Sequence, residues 1–334
     1  MKLEDVARLA GVSRTTASYV INGKAEAHRI SATTVARVME VVRMHGYLPD
    51  PAASALRRGG SRLLGLIIPD LANQSYAHLA QLLEVRARAE GFQLLVTCTE
   101  DDPDTEKKLV QTLMARRIDA LLVASALADD QEFYPAICAS GLPVVALDRA
   151  LEPSAIVSVV SEERLGAQAL TRSLLASDDG ASSGEPPRTI GLLGARADLA
   201  ISRQREEGFW RAIGGTGFRG ECRYAATFGR EEGAALCQAC LAEGTLPDLL
   251  VTTAYLLMEG VLDLLLLHPE RLASMRLATF GDHRLLDFLP VKINALPQQF
   301  SLIAEQAIAL TLEAISGDYR PGIHVIPRLL KSRS

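Results

Sequence analysis

The chain has 334 residues, 48% hydrophobic and 22% charged, enough for two or three domains that each bury a core. Those proportions exclude a disordered or fibrous chain, and no apolar run reaches the 18 residues of a membrane span. The net charge of −5 is unevenly placed: residues 1–62 hold ten Lys/Arg against five Asp/Glu, a net of +5, and the remainder holds 25 against 35, a net of −10. A basic module on an acidic body suits a nucleic-acid reader joined to a part that should not adhere to nucleic acid.

The first 46 residues carry three helical patterns. Leu3, Val6, Ala7 and Ala10 recur at helical spacing, Gly11 ends that helix, and Val12 fills the angle before Ser13, a good N-cap. In the second helix Ala17, Val20 and Ile21 point inward, while Arg14, Thr15, Ser18 and Tyr19 point out. The third starts at the Ser31 cap, with Ile30 and Val35 as a staple and Val35, Val38, Met39 and Val42 as its inner face. Two short helices, a glycine turn and an outward polar face make a helix-turn-helix, whose second helix enters a DNA major groove. A helical bundle with no DNA role is the plain alternative.

Residues 47–62 read as a connector. Pro49 and Pro51 break the third helix, and Ala52–Arg58 allows two turns of helix, too few to be stable alone in water. Either this is a flexible linker ending at Gly59 and Gly60, or it is a hinge that folds against DNA and a second hinge.

From Leu63 onward short apolar runs alternate with amphipathic helices. The runs are Leu63–Ile68, Gln93–Cys98, Ala120–Ser125, Pro143–Leu147 and Ile156–Val160. After a surface loop at 177–187 come Thr189–Leu193, Leu249–Thr253, Arg276–Phe280 and Ile323–Leu330. Such alternation predicts parallel sheets covered by helices on both faces. Parallel sheets bind ligands beyond the carboxyl ends of their strands, so the polar residues just after each run are the candidates. These are Asn73, Ser75, Tyr76, Asp148, Arg149, Thr253 and Asp282, with Arg205 and Phe228 nearby. Any one of them has ordinary structural uses, as a helix cap or a surface pair. Together they offer carboxylates and a guanidinium for vicinal hydroxyls, and an aromatic ring for a sugar's apolar face.

Cys237 and Cys240 form a CxxC, but no second Cys/His pair is near, and a helical pattern surrounds them. Buried small hydrophobes are the better reading. Gly191 and Gly194 lie between a strand and a helix, but two glycines alone do not make a nucleotide loop, and close packing accounts for them. No catalytic constellation is evident, so an enzyme is not expected, and neither a cofactor nor a metal ion is called for. The N-terminus lacks a signal peptide's apolar run, so a cytoplasmic protein is expected.

The block Asp5-Val-Ala-Arg-Leu-Ala-Gly-Val-Ser and the ending Tyr47-Leu-Pro-Asp resemble the DNA-binding headpiece of the lactose-repressor family. Met1-Lys-Leu-Glu-Asp, Arg14-Thr-Thr-Ala-Ser-Tyr-Val-Ile-Asn-Gly-Lys-Ala, Ile68-Pro-Asp-Leu-Ala-Asn-Gln-Ser-Tyr, Val145-Ala-Leu-Asp-Arg-Ala-Leu and Ala278-Thr-Phe-Gly-Asp-His-Arg-Leu-Leu-Asp-Phe-Leu resemble a fructose-responsive branch of it. The resemblance implies an all-α helix-turn-helix headpiece (1–46) and a hinge helix with linker (47–62). An α/β core like that of periplasmic binding proteins follows. Its two parallel-sheet subdomains are expected at 63–161 with 297–321 and at 162–296 with 322–334, and the chain crosses near Ser161, Pro297 and Gly322.

The resemblance also implies partners and roles. Ser13, Arg14, Thr15, Thr16, Ser18, Tyr19, Asn22 and Arg29 would touch near-palindromic double-stranded operator DNA, with Arg57 near phosphates. Leu56 would wedge into the minor groove. Family members often place Asn where this chain has Asp50, and an acid there should not approach phosphate. The implied effector is a phosphosugar, fructose 1-phosphate, bound by a homodimer or homotetramer with no membrane partner. Asp148, Arg205 and Asp282 match the family's effector contacts in type, Phe228 matches the aromatic position, and Thr253 replaces an asparagine. Arg149, Arg205 and Ser75 are the candidates for the phosphate. A cytoplasmic sugar-binding protein or sugar-phosphate enzyme with an accessory DNA-binding module is the alternative.

Overall fold

A computed structural model describes residues 1–47, 60–127, 130–175 and 188–333. The expected hinge, with Leu56 and Arg57, and the expected loop at 177–187 lie outside the described residues. The chain divides into two compact units, Met1–Arg62 and Leu63–Ser334.

In the first unit α1 (Leu3–Leu9), α2 (Arg14–Ile21) and α3 (Ala32–Met44) enclose a small core. Gly11 adopts φ +61°, which lets Val12 N–H reach the Ala7 carbonyl and Gly11 N–H the Arg8 carbonyl, closing α1 with a left-handed cap. Gly23 closes α2 in the same way. Val6, Ala7, Ala10, Ala17, Val20, Val38 and Val41 are buried, with Val12, Ile30, Val35 and Val42 packed around them. Met39 is not part of this face: it is 46% exposed, and Val41 takes the inward place expected of it. Position 39 lies about 100° around the helix from Val38, which turns it to solvent.

The second unit contains two parallel sheets. The first is built from β1 (Leu63–Ile68), α4 (Gln74–Ala89), β2 (Gln93–Cys98), α5 (Pro103–Ala115), β3 (Ala120–Val123), α6 (Phe133–Ala139), β4 (Val144–Leu147) and β5 (Val157–Ser161). The chain then enters the second with α7 (Arg164–Leu175), β6 (Thr189–Ala195), α8 (Ala200–Ile213), β7 (Arg219–Ala225), α9 (Arg230–Glu243), β8 (Leu249–Thr252), α10 (Tyr255–Leu265), α11 (Pro269–Ser274), β9 (Arg276–Phe280) and β10 (Ile293–Leu296). It returns through α12 (Phe300–Ile315), which packs on the first sheet beside α4, and ends with β11 (Gly322–Ile326). Strand order is β11-β5-β4-β3-β1-β2 in the first sheet and β10-β9-β8-β6-β7 in the second. The central strands β3, β4 and β8 are buried throughout, as strands covered on both faces must be.

The final strand corrects the expected division. Gly322–Ile326 pairs with β5 and belongs to the first sheet, so the third crossing follows Ile326 and is not at Gly322. Because α12 lies on the first sheet, the next strand adds to that sheet's edge. Pro327, with no N–H to donate, ends it. Of the tail, Lys331 reaches the second sheet through a bridge to Ala295.

β7, β10, α7 and α11 were not legible as elements. β7 alternates charged and small residues on a sheet edge, and β10 has only four. Two glycines set the spacing of α9 and α10: a Cβ on Gly260 would lie 1.8 Å from the Arg230 carbonyl, and one on Gly233 2.2 Å from that of Leu257. A Cβ on Gly191 would stand 2.8 Å from the Pro247 ring and one on Gly194 2.6 Å from the Tyr224 ring, the close packing expected of them. Cys237 and Cys240 are buried in the core between α9 and the second sheet.

Candidate functional site

α2 presents the polar face of the first unit. Ser13 Oγ accepts the Thr16 N–H at 3.0 Å and contacts Thr16 Oγ1 at 2.8 Å, so both side chains are engaged in starting the helix. Asn22 donates to the Ser18 carbonyl at 2.6 Å and closes its other end. Arg14 and Thr15 are exposed, and Arg14 forms a solvated 3.2 Å pair with Glu4 on α1. An exposed pair of this kind is worth about 0.2–1 kcal/mol, so Arg14 can leave it at little cost. The half-buried Tyr19 ring stacks on His28, centroids 3.5 Å apart, a partner that no helical pattern in the loop could reveal. Arg29, exposed and at φ +52°, stands between α2 and α3.

In the core, the carboxyl ends of both sheets face a cleft of about 720 Å³. All nine residues singled out for this site, Asn73, Ser75, Tyr76, Asp148, Arg149, Arg205, Phe228, Thr253 and Asp282, line it. Asn73 caps α4 by accepting the Ser75 N–H at 3.0 Å. Asp148 sits at φ +63° in a tight turn where Arg149 N–H meets the Leu147 carbonyl at 2.6 Å. A non-glycine residue held there costs on the order of 1–3 kcal/mol, and such strain collects at ligand sites. Its two oxygens accept the Tyr76 hydroxyl at 3.0 Å and Gln298 Nε2 at 2.8 Å. Burial, then the Asp148 charge, push the Tyr76 phenol well above its ordinary value, so it remains a donor.

Arg149 is buried and held by both oxygens of Asp101 (2.6 and 3.3 Å) and by the Ser125 carbonyl at 3.1 Å. Behind it Glu106, fully buried, accepts from the Ser125 and Tyr134 hydroxyls and the Ala126 N–H. From the second sheet, Arg205 donates to Glu163 Oε2 and to the Thr253 carbonyl, each at 2.7 Å, and its guanidinium lies 4.5 Å from the Phe280 ring centre. Burial would raise the Glu163 carboxyl, but Arg205 and Arg328 outweigh it and hold Glu163 below the ordinary range. Asp282 is gripped by Arg333 at 2.6 Å and Lys331 at 3.2 Å. Among the described residues, three buried polar atoms of this region have no hydrogen-bond partner: Arg149 Nε, Arg328 Nε and Thr253 Oγ1. A polar ligand is what such atoms need.

The cleft therefore presents guanidinium groups for an anion, carboxylates for hydroxyl groups and aromatic walls at Phe228, Phe280 and Tyr255. Gln298 and Arg328 also line it, and buried Glu163 holds Arg205 and Arg328 in place; none of the three was foreseen. Each lies on a crossing between the subdomains, and the strand expected at Ile323–Leu330 would have absorbed Arg328. The rule of inspecting strand ends would have found it once Pro327 was allowed to stop the strand.

A three-helix unit with an outward polar helix, followed by two parallel-sheet subdomains facing a polar cleft, defines a ligand-responsive DNA-binding regulator with a periplasmic-binding-protein-like core. The model of the bacterial regulatory proteins of the lacI family matches residues 2–50, and that of periplasmic binding proteins and the sugar binding domain of the LacI family matches residues 61–266. The chain belongs to the lacI family of bacterial regulatory proteins, and is a transcription regulator rather than an enzyme. It is 50% identical over 334 residues, all of both chains, to the fructose operon regulatory protein of Vibrio cholerae. It is 44% identical to the Cra transcriptional dual regulator of Pseudomonas putida, whose crystal structure holds fructose 1-phosphate. That match has a TM-score of 0.75 and covers 82% of this chain and 99% of the other. The fold also matches the lac repressor bound to operator and the anti-inducer ONPF, at TM-score 0.84 and 21% identity, over 100% of this chain and 98% of that one.

Proposed function

We propose that this protein is a cytoplasmic regulator of sugar-metabolism genes that binds a near-palindromic operator and is released from it by fructose 1-phosphate. The observation that carries the effector reading is the convergence on one cleft of Asp148, Arg149, Arg205 and Asp282 from two sheets, with buried donors left unspent. The ligand of the Pseudomonas putida protein supports the choice of phosphosugar. In this reading Asp148 and Asp282 take sugar hydroxyls, Phe228 packs on the ring, and Arg149, Arg205, Thr253 and the start of α4 at Asn73, Ser75 and Tyr76 share the remaining contacts. A helix N-terminus favours an anion, which gives Ser75 a place near the phosphate.

The headpiece (1–46) reads DNA with α2. Arg14, Thr15 and Tyr19 meet base edges, and Ser13, Thr16, Ser18, Asn22 and Arg29 position the helix on the backbone. Residues 47–62 follow it, and in this reading Leu56 wedges into the minor groove with Arg57 near phosphates. The protein acts as a homodimer or homotetramer, since a near-palindromic site pairs with a two-fold reader. Calorimetry of the full chain with fructose 1-phosphate, fructose 6-phosphate and fructose tests the effector. Binding confined to the 1-phosphate supports the reading, and equal or absent binding of all three overturns it.

A further inference from the structure

Asp282 stands just past β9, after Gly281, which turns the chain at φ +81°. It lies in neither helix nor strand, so no regular element fixes the direction of its carboxylate. The partners that do fix it come from 49 and 51 residues further along the chain. Lys331 Nζ donates to Oδ2 at 3.2 Å and Arg333 Nη2 to Oδ1 at 2.6 Å.

The segment that carries these cations is itself anchored. Lys331 exchanges two main-chain hydrogen bonds with Ala295 on β10, at 2.8 and 3.0 Å, and Arg333 N–H donates to Asn294 Oδ1 at 2.8 Å. The Arg333 side chain is 7% exposed and uses further donors on Asp287 Oδ1 at 2.7 Å and on the Ile293 carbonyl at 3.0 Å. A planar fork held at three acceptors cannot follow a moving carboxylate; it sets where the carboxylate lies. A lysine ammonium would reach the same place as a point charge and fix no plane.

The other carboxylate of the cleft is held differently. Asp148 takes its bonds from Tyr76 and Gln298, which line the cleft themselves and are open to capture by a ligand. Asp282 lines the cleft, but neither Lys331 nor Arg333 is among the residues that do. Both cations therefore hold Asp282 from outside the cleft, and a ligand reaches the carboxylate without displacing them. A carboxylate oxygen accepts about two hydrogen bonds, so each keeps a place for a hydroxyl group.

We infer that Arg333, with Lys331 beside it, is a positioning residue of the effector site, which aims the Asp282 carboxylate at a sugar hydroxyl and does not touch the sugar. The inference rests on the reading of the cleft as a phosphosugar site. A residue that only supports the fold would weaken sugar binding whatever stands at position 282. One that acts through Asp282 loses its effect once that carboxylate is gone.

A double-mutant cycle of Arg333→Met and Asp282→Asn in the full chain separates the two. Melting temperature, operator affinity without sugar, and fructose 1-phosphate affinity by calorimetry are measured for each protein. The sugar concentration that half-releases operator is a second reading where binding heats are small. Asp282→Asn keeps one acceptor oxygen and should weaken the sugar by about 10–100-fold. Arg333→Met is expected to weaken it by about 3–10-fold in the wild-type background and by less than about twofold beside Asp282→Asn. Arg333→Lys should recover part of that loss, and operator affinity without sugar should be nearly unchanged throughout. Wild-type sugar affinity in Arg333→Met overturns the inference. So does an equal loss in both backgrounds, which would make Arg333 a support of the fold alone. If Arg333→Met does not fold, Lys331→Met, at a side chain 44% exposed, takes its place in the cycle. The wild-type titration stands apart: no binding of fructose 1-phosphate there refutes the reading of the cleft, and the inference with it.

Discussion

Arg205→Met removes a guanidinium and keeps an apolar stem against Phe280. The lost groups are the donors to Glu163 Oε2 and to the Thr253 carbonyl, both at 2.7 Å and both out of water. Glu163 keeps Arg328 at 2.7 Å, so its charge is not orphaned, whereas the Thr253 carbonyl loses the Arg205 donor. With charge-assisted bonds worth about 1.5–3 kcal/mol each, the partial compensation leaves an expected stability loss of about 2–4 kcal/mol. At roughly 2–4 °C per kcal/mol for a unit of this size, the melting temperature should fall by about 5–15 °C. If Arg205 also holds the sugar or its phosphate, one further charged partner is lost, about 1.5–3 kcal/mol or a 10- to 150-fold weaker Kd. Calorimetry with fructose 1-phosphate, run well below the lowered melting temperature, reads the second quantity. An operator gel shift without sugar should be nearly unchanged, so the variant should be a repressor that sugar releases poorly. A folded Arg205→Met that binds fructose 1-phosphate like the wild type would refute the assignment.

Glu163→Gln should flatten the acid limb of stability: the folded carboxyl titrates below its ordinary value near 4.5, because Arg205 and Arg328 outweigh burial, so its contribution is whole above that pH and drains away as pH falls through the depressed value. Urea midpoints between pH 7 and 3 check this, and parallel acid limbs in variant and wild type would contradict it. Arg14→Ala should cost about 1–3 kcal/mol on the operator and relax preference at one base pair, whereas Arg29→Ala should weaken all sequences alike and lower the salt slope by about one. Anisotropy titrations over a set of operator variants and salt concentrations separate the two, and an Arg14→Ala protein with undiminished specificity would displace Arg14 from the base-reading face. Gly260→Ala drives a methyl into the Arg230 carbonyl between α9 and α10 and should lower stability by about 1–3 kcal/mol, read by thermal melting; an unshifted melting temperature would mean those helices part freely.

How much of this was legible depended on where the information sits in the chain. The three-helix unit was readable because several of its ends are marked locally: Ser13 and Ser31 start helices with their own side chains, and Gly11 ends one at positive φ. The cleft was readable because fully buried runs such as Val144–Leu147 announce parallel strands, and the polar residue that follows has to face the open end. Long-range pairing was not. Nothing local in Gly322–Ile326 tells it to join β5 rather than the second sheet, since that choice follows from where α12 packs. Glu163 looked like one of two consecutive acids at a helix start, and its two arginines lie 42 and 165 residues away. Asp282 was expected to be open to ligand, yet the tail from Lys331 to Arg333 folds back on it. Met39 shows the finer limit, where Val41, two residues along the helix, takes the core place.

The central claim is that one sugar phosphate in the cleft governs operator affinity, and a single titration addresses it. Fluorescence anisotropy of a labelled near-palindromic operator with the full chain, at constant salt and increasing fructose 1-phosphate, should show affinity falling by about 5–150-fold to a plateau. By reciprocity, operator should weaken the sugar by the same factor in calorimetry. An operator affinity that stays constant while calorimetry shows the sugar bound would contradict the account.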